Sequence, residues 1–224
     1  MTDHVSYSQT DNIATLTMDD GKANAFGFEM ISALSDALKK AESDADVVLL
    51  TGRPGIFSAG FDLKVMNKGQ QAMADMIGQG ANLLMDLFLH PQPIVMACSG
   101  HSLAAGALIL LTGDYRIGID GEFKIGLNET AIGMTMPHFG IELARDRLGS
   151  AALTQAVLNA QLYNPKEAVD IGYLDQSVDQ NQLDFTVQEK LKFLLGLDGK
   201  AFAASKKGIR NTTAELIRNN LQGK

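Results

Sequence analysis

The sequence predicts an α/β fold in which short strands and helices alternate and the C-terminal part is mostly helical. Two observations support this prediction. Short β-prone runs alternate with apolar residues at helical spacing over about residues 1–160, and the pattern over about residues 161–224 is helical. No internal repeat, low-complexity tract or linker interrupts the 224 residues, so we expect a single domain, 1–224.

The chain is expected to open with a β-hairpin. Val5–Gln9 and Ile13–Met18 are β-prone runs, and Asp11–Asn12 between them suits a tight turn. Asn24 is expected to cap the first helix, which apolar residues at helical spacing predict. These residues are Met30, Ile31, Leu34, Leu38 and Ala41.

The same alternation continues through the middle of the chain. Val47–Thr51 is predicted to be a buried strand, and a helix over Ala72–Leu89 should end before Pro91. The elements predicted next are strand Ile94–Cys98, helix Ala105–Leu111, strand Tyr115–Ile119 and a short strand at Phe123–Ile125. From Glu142 onward helices dominate, and one of them should begin at Pro165 and end near Gly172.

Charge and composition exclude several classes of function. A net charge of −7 argues against non-specific binding to nucleic acid. The single cysteine, Cys98, lies in a predicted buried strand and fits a reducing compartment. The polar start Met1–His4 has no secretory pattern, and the longest apolar run, Leu103–Thr112, is too short for a membrane span. We therefore expect a cytoplasmic protein that binds neither nucleic acid nor membranes, and no histidine shows metal-ligand spacing.

Two loops contain small residues that let a ligand approach the main chain. The first is Phe57–Leu63, and the second is Ser99–Gly106, which lies between a buried strand and an apolar helix. Free N–H groups at a helix start suit a developing negative charge. Either loop taken alone is more typical of a turn or of close packing than of a binding site.

The two loops together resemble motifs of the crotonase (enoyl-CoA hydratase/isomerase) superfamily. Phe57–Leu63 resembles F-(A/S)-A-G-x-D-(I/L). Ser99–Gly106 resembles the second loop of the family, although Ser99 replaces its asparagine and Ala105 its usual glycine. Further matches are Ala23–Asn24–Ala25, Gly113–Ile117 and Pro165–Asp175. The resemblance covers essentially the whole chain.

The resemblance implies a fold, an assembly and a substrate class. The fold would be a crotonase-like spiral of ββα units with a helical C-terminal region, assembled as a homotrimer or a dimer of trimers. The substrate would be an acyl group carried as a coenzyme A thioester, with no permanently bound cofactor. The backbone N–H groups of Phe61 and Ala105 would form the oxyanion hole.

The acid/base residue implied by the resemblance is Glu129. Hydratases of the family place one glutamate three residues after the second oxyanion donor, where this chain has Leu108. The string Gly126–Thr130 resembles Δ3,Δ2-enoyl-CoA isomerases, in which its glutamate is the single acid/base. Glu129 would remove a proton from C2 of a 3-enoyl thioester and return it to C4.

The resemblance also implies residues that contact the substrate. They are Ala23, Ala25, Ser58, Ala59, Gly60, Asp62, Leu63, Gly106, Leu108 and Ile132. A core role is as consistent with the Leu108 and Ile132 side chains as pocket lining, and the Asp62 carboxylate is expected to accept hydrogen bonds within its loop.

Several alternatives remain open at the level of sequence. The chain is alternatively a hydratase, another crotonase-type enzyme such as a hydrolase or decarboxylase, or a catalytically silent acyl-CoA-binding protein. Lys206, Lys207 and Arg210 form a basic cluster that we expect to be solvated rather than bound to CoA phosphates. His101 is expected to pack locally, and His138 to lie near the Glu129 loop in sequence only.

Overall fold

The computed structural model describes residues 4–222, which wind into successive turns of a spiral. Each turn places a strand in a large sheet, then one or two strands in smaller sheets, then a helix. The first turn contains β1 (Val5–Thr10), β2 (Ile13–Met18), β3 (Ala25–Phe26) and α1 (Phe28–Asp44). The second contains β4 (Val47–Thr51), β5 (Gly55–Ser58), β6 (Gly60–Phe61), α2 (Leu63–Met66) and α3 (Gln70–Phe88).

Two further turns and a helical region complete the chain. The third turn contains β7 (Ile94–Cys98), β8 (Gly100–Leu103) and α4 (Ala105–Thr112). The fourth contains β9 (Tyr115–Ile119), β10 (Ile125–Gly126) and α5 (His138–Arg147). The elements that follow are α6 (Ser150–Leu153), α7 (Pro165–Ile171), β11 (Gln176–Val178), α8 (Leu183–Leu195) and α9 (Gly199–Leu221). The predicted spiral of ββα units with a helical C-terminal region is confirmed.

The large sheet has the strand order β1-β2-β4-β7-β9-β11, and only the β1–β2 hairpin is antiparallel. Parallel strands are buried on both faces, which explains why β4 and β7 are continuous apolar runs. Helix α8 covers one face, where Val187 and Leu191 pack against Val47, Val95 and Ile117. The larger core, which includes α1, α3 and α4, lies on the other face.

Three predicted boundaries need correction. Helix α1 begins after Gly27, so Asn24 is not its cap. The Asn24 side chain instead bonds to carbonyl groups of β2 and β5, because tertiary contacts outweigh the local capping preference. The short strand predicted at Phe123–Ile125 begins at Ile125, and the mostly helical part of the chain, expected from Glu142 onward, begins four residues earlier with α5 at His138.

The basic cluster at the C-terminus also needs correction, because two of its three members are buried. Lys206 donates to Asp114 Oδ2 (2.6 Å) and to the carbonyl oxygens of His90 and Gln92. Arg210 lies 2.9 Å from Asp114 Oδ1 and donates to carbonyl groups at the C-terminal ends of α3 and α4. Lys206 and Arg210 therefore attach α9 to the core, and only Lys207 is exposed as expected.

Candidate active site

The two small-residue loops are in direct contact. Ser58 in β5 pairs with Ser102 in β8. A Cβ atom added to Gly60 would lie 2.7 Å from Ala104 Cβ and 3.2 Å from the Ala105 nitrogen. Gly60 also has φ of +93°, a conformation that favours glycine. The main chain of β6 therefore lies against the start of α4, as a site built from main-chain donors requires.

The amide of Phe61 points away from its neighbouring strand. The N–H of Gly60 donates to Ser58 Oγ (3.2 Å), and the N–H of Asp62 donates to the Phe26 carbonyl in β3 (3.4 Å). Successive N–H groups of a strand point to opposite sides. The N–H of Phe61, between these two, is consequently directed to the side opposite β3.

The amide of Ala105 belongs to the first turn of α4. The first bond of this helix runs from the Leu108 N–H to the Ala104 carbonyl (3.1 Å), so the Ala105 N–H has no acceptor within the helix. Ala104 has the unusual combination of φ 50° and ψ −123°, which turns the chain from β8 into α4. Ala105 is fully buried, so its N–H lies in a medium of low polarity.

A buried hydrogen-bond network holds the first loop in place. Asn24 is fully buried and donates to the carbonyl oxygens of Met18 (2.9 Å) and Phe57 (3.0 Å). Ser58 Oγ donates to the Asn24 carbonyl (2.7 Å). Asp20 accepts from the N–H groups of Lys22, Asn24 and Ala25. Sequence reasoning missed Asp20, because nothing in the local pattern separates it from an exposed turn aspartate.

Glu129 follows β10, the strand next to the start of α4. The Gly126 carbonyl accepts from the Ala104 N–H (3.0 Å), and Glu129 comes three residues later, directly before the 3₁₀ turn Thr130–Ile132. The loop is tied down because the Met134 N–H donates to the Glu129 carbonyl (2.9 Å). The backbone path thus places Gly126, three residues before Glu129, against the start of α4.

The Glu129 side chain is a buried carboxyl group that is only 5% exposed. Burial raises the pKa of Glu129 to about 7, although the N–H groups of Glu129 and Asn128 act in the opposite direction. Within residues 4–222, Glu129 Oε2 has no hydrogen-bond partner. A carboxyl group with this pKa can both accept and donate a proton near neutral pH.

Leu108 lies on α4, three residues after Ala105, and is buried in the core. Its Cδ1 atom would lie 3.3 Å from a Cβ atom added to Gly140 in α5. The position that carries a carboxylate in hydratases is therefore occupied by an apolar side chain that packs between helices.

The structure brings some of the predicted substrate-contact residues together and leaves others apart. The Ala59 N–H donates to the Ala23 carbonyl (3.0 Å), and Ala25 pairs with Gly60 across β3 and β6. Gly106 packs against Ser58. The remaining positions are Asp62, whose carboxylate caps α2 through the Lys64 N–H (2.8 Å), and the exposed side chains of Leu63 (61%) and Ile132 (53%).

The histidines lie outside this arrangement. His101 Nδ1 accepts from the Lys124 N–H (3.0 Å), and its ring packs edge-on against Phe123. His138 is on α5, with Nε2 3.8 Å from Glu142. In the part of the chain that the structure describes, no three His, Cys, Asp or Glu residues are grouped to hold a metal ion. No helix there is both long and apolar enough to cross a membrane.

Comparison with known proteins extends the similarity over nearly the whole chain. The family profile described as Enoyl-CoA hydratase/isomerase matches residues 8–221. The human mitochondrial enoyl-CoA delta isomerase 1 is 30% identical over 210 residues, which cover 92% of this chain and 70% of the human protein. The matched region contains both loops and the Glu129 segment.

Solved structures agree with this result. The structure of an enoyl-CoA hydratase/isomerase family protein from Pseudomonas syringae is 41% identical with a TM-score of 0.97, over 99% of this chain and 96% of that one. A Mycobacterium tuberculosis protein, described as an enoyl-CoA isomerase in one structure and as a probable enoyl-CoA hydratase in another, is 37% identical with a TM-score of 0.94; the isomerase structure matches over 100% of this chain and 98% of that one.

Proposed function

The chain belongs to the enoyl-CoA hydratase/isomerase family, and we propose that within this family it is a Δ3,Δ2-enoyl-CoA isomerase. One observation carries the proposal. Glu129 is a buried carboxyl group, one oxygen of which has no hydrogen-bond partner among residues 4–222, and it lies on the segment that follows the β10 contact with the start of α4. Leu108 occupies the position where hydration needs a second carboxylate.

The proposed reaction moves one proton between two carbons of the acyl chain. The C2 proton of a 3-enoyl thioester is acidic because the adjacent carbonyl stabilises the resulting carbanion as an enolate. Glu129 accepts this proton, and the electron pair of the C2–H bond forms a C1–C2 double bond while charge moves to the thioester oxygen. Glu129 then donates the proton to C4, and the double bond ends between C2 and C3.

The main-chain amides of Phe61 and Ala105 stabilise the enolate oxygen in this proposal. Each amide is fixed before the reaction begins, since the Asn24 network and the first turn of α4 hold the backbone. Losing one such donor typically costs about 3 kcal/mol of transition-state stabilisation. General acid–base catalysis supplies roughly 10²–10⁴-fold, so the oxyanion hole has to contribute a large further share.

The substrate in this proposal is an acyl group esterified to the thiol of coenzyme A. The thioester carbonyl would lie at the contact between Gly60 and α4, because both amides belong to the segments that meet there. The main chain of Ala23, Ala25 and Ala59 surrounds the same loop and is proposed to contact the CoA portion. No permanently bound cofactor takes part in the proposed steps.

Hydration is disfavoured by the geometry on α4. Adding water across a double bond needs a base that activates the water and an acid that protonates the neighbouring carbon. The buried Leu108 side chain can do neither, and it packs against α5 instead of facing a polar site. Isomerisation needs only one group that accepts and returns a proton, which Glu129 provides.

The test is a Glu129→Gln variant, incubated with 3-enoyl-CoA and with crotonyl-CoA in D₂O. We expect the variant to lose double-bond migration and deuterium exchange at C2 while it still binds acyl-CoA. Glu122→Gln is a matched control, because Glu122 is an exposed carboxylate on the segment before β10.

Full migration by Glu129→Gln would refute the proposal. Rapid hydration of crotonyl-CoA by the wild type would indicate a hydratase. Binding of acyl-CoA without deuterium exchange at C2 would indicate a catalytically silent acyl-CoA-binding protein.

A further inference from the structure

Helix α3 contains two glycines in its interior, Gly78 and Gly80. Glycine weakens a helix relative to alanine, because its backbone loses more conformational freedom on folding. Neither glycine has a positive φ, so the helix backbone itself does not require glycine at these positions. Gly80 is buried, whereas Gly78 is half-buried. The reason for a glycine at position 80 therefore has to come from what packs against it.

The ring of Phe61 lies directly against the α3 backbone at Gly80. A Cβ atom added to Gly80 would lie 2.6 Å from Phe61 Cε1 and 3.0 Å from Phe61 Cζ. Carbon atoms in favourable contact are about 3.5–4.0 Å apart, so an alanine fits only if the ring moves. Among residues 4–222, a Cβ atom added to Gly78 would meet nothing within 4 Å apart from its own helix backbone. Close contact with another segment thus distinguishes Gly80 from Gly78.

A second ring, that of Phe26, restricts where the Phe61 ring can move. Phe26 and Phe61 pair across β3 and β6, and their ring centroids are 5.5 Å apart. Phe26 is fully buried, and its Cε1 atom would lie 3.1 Å from a Cβ atom at Gly80. An added methyl group would therefore meet both rings. Because the Phe61 ring has no space towards Phe26, its displacement would also move the main chain of β6.

We propose that Gly80 is a positioning residue, which lets the Phe61 ring pack against α3 and so fixes where β6 lies relative to α4. Strand β6 has only two residues, Gly60 and Phe61, so the ring is a large part of what holds it. On its other side β6 is already in close contact with α4, since a Cβ atom at Gly60 would lie 3.2 Å from the Ala105 nitrogen. A shift of the Phe61 main chain therefore changes the separation of the Phe61 and Ala105 amides.

The inference deepens the proposed function, on which its catalytic consequence rests, and Gly80→Ala tests it. We expect Gly80→Ala to lower kcat for 3-enoyl-CoA isomerisation by about 10²-fold, the typical effect of displacing a catalytic group by about 1 Å. The loss should fall mainly on kcat, because the amides stabilise the enolate more than the thioester. Gly78→Ala is the matched control. It should raise the midpoint of urea unfolding, since alanine favours a helix, and leave kcat unchanged.

A second substitution tests whether the effect passes through the Phe61 ring. Phe61→Leu keeps the main-chain amide and removes the ring atoms that meet α3. In the Phe61→Leu background we expect Gly80→Ala to lower kcat by less than about threefold, because the two changes are coupled only through their contact. If Gly80→Ala alone fails to fold, Phe61→Leu should restore folding. Failure of the double variant to recover folding or kcat would overturn the inference.

A measurement that needs no turnover keeps the inference separate from the proposed function. Crystal structures of the wild type and of Gly80→Ala should differ in the distance between the Phe61 and Ala105 nitrogen atoms. Movement of the Phe61 ring alone, with β6 in its wild-type place, would overturn the inference, and so would equal kcat in Gly80→Ala and Gly78→Ala. Full migration by Glu129→Gln, together with a displaced β6 in Gly80→Ala, would refute the isomerase proposal and leave the placement of β6 by Gly80 standing.

Discussion

Glu129 combines a buried position with a proposed chemical role that requires ionisation. In the proposed reaction its carboxyl group accepts the first proton, so only the charged form starts that reaction. Burial raises the pKa to about 7, so below this pH the protonated, inactive form dominates. The charged form costs free energy in this environment, which makes the carboxylate a stronger base once it is formed.

The first prediction concerns the pH dependence of turnover. We expect kcat/KM for 3-enoyl-CoA isomerisation to rise about tenfold per pH unit below an apparent pKa near 7 and to level off above it. The measurement is kcat/KM between pH 5 and pH 9 at constant ionic strength. Binding of a saturated acyl-CoA over the same range serves as the control. A profile that is level from pH 5 upward would contradict a buried base at Glu129.

The second prediction distinguishes two effects of an alanine at Gly60, namely the steric contact of its Cβ atom with α4 and the backbone strain of a positive φ. Gly60 and Gly55 both have positive φ, +93° and +84°, so alanine is strained at either position. A Cβ at Gly60 would meet Ala104 Cβ at 2.7 Å, whereas a Cβ at Gly55 would meet no atom within 4 Å. We expect Gly55→Ala to cost about 1 kcal/mol of stability with turnover retained.

For Gly60→Ala we expect a larger loss of stability, and a loss of turnover beyond what the unfolded fraction explains. The added methyl group would push β6 from α4 and separate the Phe61 and Ala105 amides. A displacement of one oxyanion donor typically costs 10²–10³-fold in kcat. Urea unfolding measures the loss of stability, and turnover measured at one temperature gives the loss of activity. Equal behaviour of the two variants would show that the contact with α4 has no role in catalysis.

At the scale of elements, α9 is held to the core by two buried cations. Lys206 and Arg210 share the Asp114 carboxylate and together cap carbonyl groups at the ends of α3 and α4. Asp114 also accepts from the Ile94 N–H of β7 (2.7 Å). Removing one partner of a buried ion pair leaves an uncompensated charge and typically costs about 3–5 kcal/mol.

The third prediction follows for Lys206→Met. We expect a loss of about 3–5 kcal/mol, because the carbonyl oxygens of His90 and Gln92 lose their shared donor together with the ion pair. Lys207→Met is the matched control, since Lys207 is the next residue on α9 and is exposed, and it should change stability by less than about 0.5 kcal/mol. The measurement is the free energy of unfolding in urea. Similar values for both variants would show that α9 is held by apolar packing alone.

The elements that the sequence predicts best are those with a regular hydrophobic pattern along their whole length. Strands β2, β4, β7 and β9 have the predicted bounds, because each is a continuous apolar or alternating run. Strands β3 and β6 have two residues each and carry no period, so local reasoning cannot find them. Lys206 and Arg210 show the same limit, since their burial depends on a carboxylate 92 and 96 residues earlier in the chain, at Asp114.

The prediction of the candidate site rests partly on the resemblance to the crotonase superfamily and partly on local chemistry. The small residues at Ser58 and Gly60 predict close approach of the main chain, and the structure shows that approach. The assignment of Glu129 depends on the string Gly126–Thr130, because a loop glutamate alone is usually solvated. Asp20 escapes sequence reasoning, since the loop that it holds is shaped by the contacts of Asn24 with Met18 and Phe57. The catalytic roles and the trimeric assembly stay predictions.

At the scale of the whole molecule, the residues of the proposed site come from every turn of the spiral. Asn24 belongs to the first turn, Phe61 to the second, Ala105 to the third and Glu129 to the fourth. Tyr163, from the C-terminal region, forms a bridge with Ile125 of the fourth turn. The proposed site would therefore form only when all turns are assembled, and we expect ligand binding to be coupled to global folding rather than to one local element.

The last prediction uses this coupling. A saturated acyl-CoA, such as butanoyl-CoA, cannot isomerise, and we expect it to bind the folded chain. At a free concentration of about 100 times its Kd it should raise the free energy of unfolding by about 2.7 kcal/mol. Glu129→Gln should be stabilised equally, because the proposed thioester contacts are main-chain amides. Gly60→Ala should be stabilised much less at the same concentration, since its amides are displaced. Urea unfolding with and without ligand measures this, and no stabilisation of the wild type would contradict an acyl-CoA site built across the spiral.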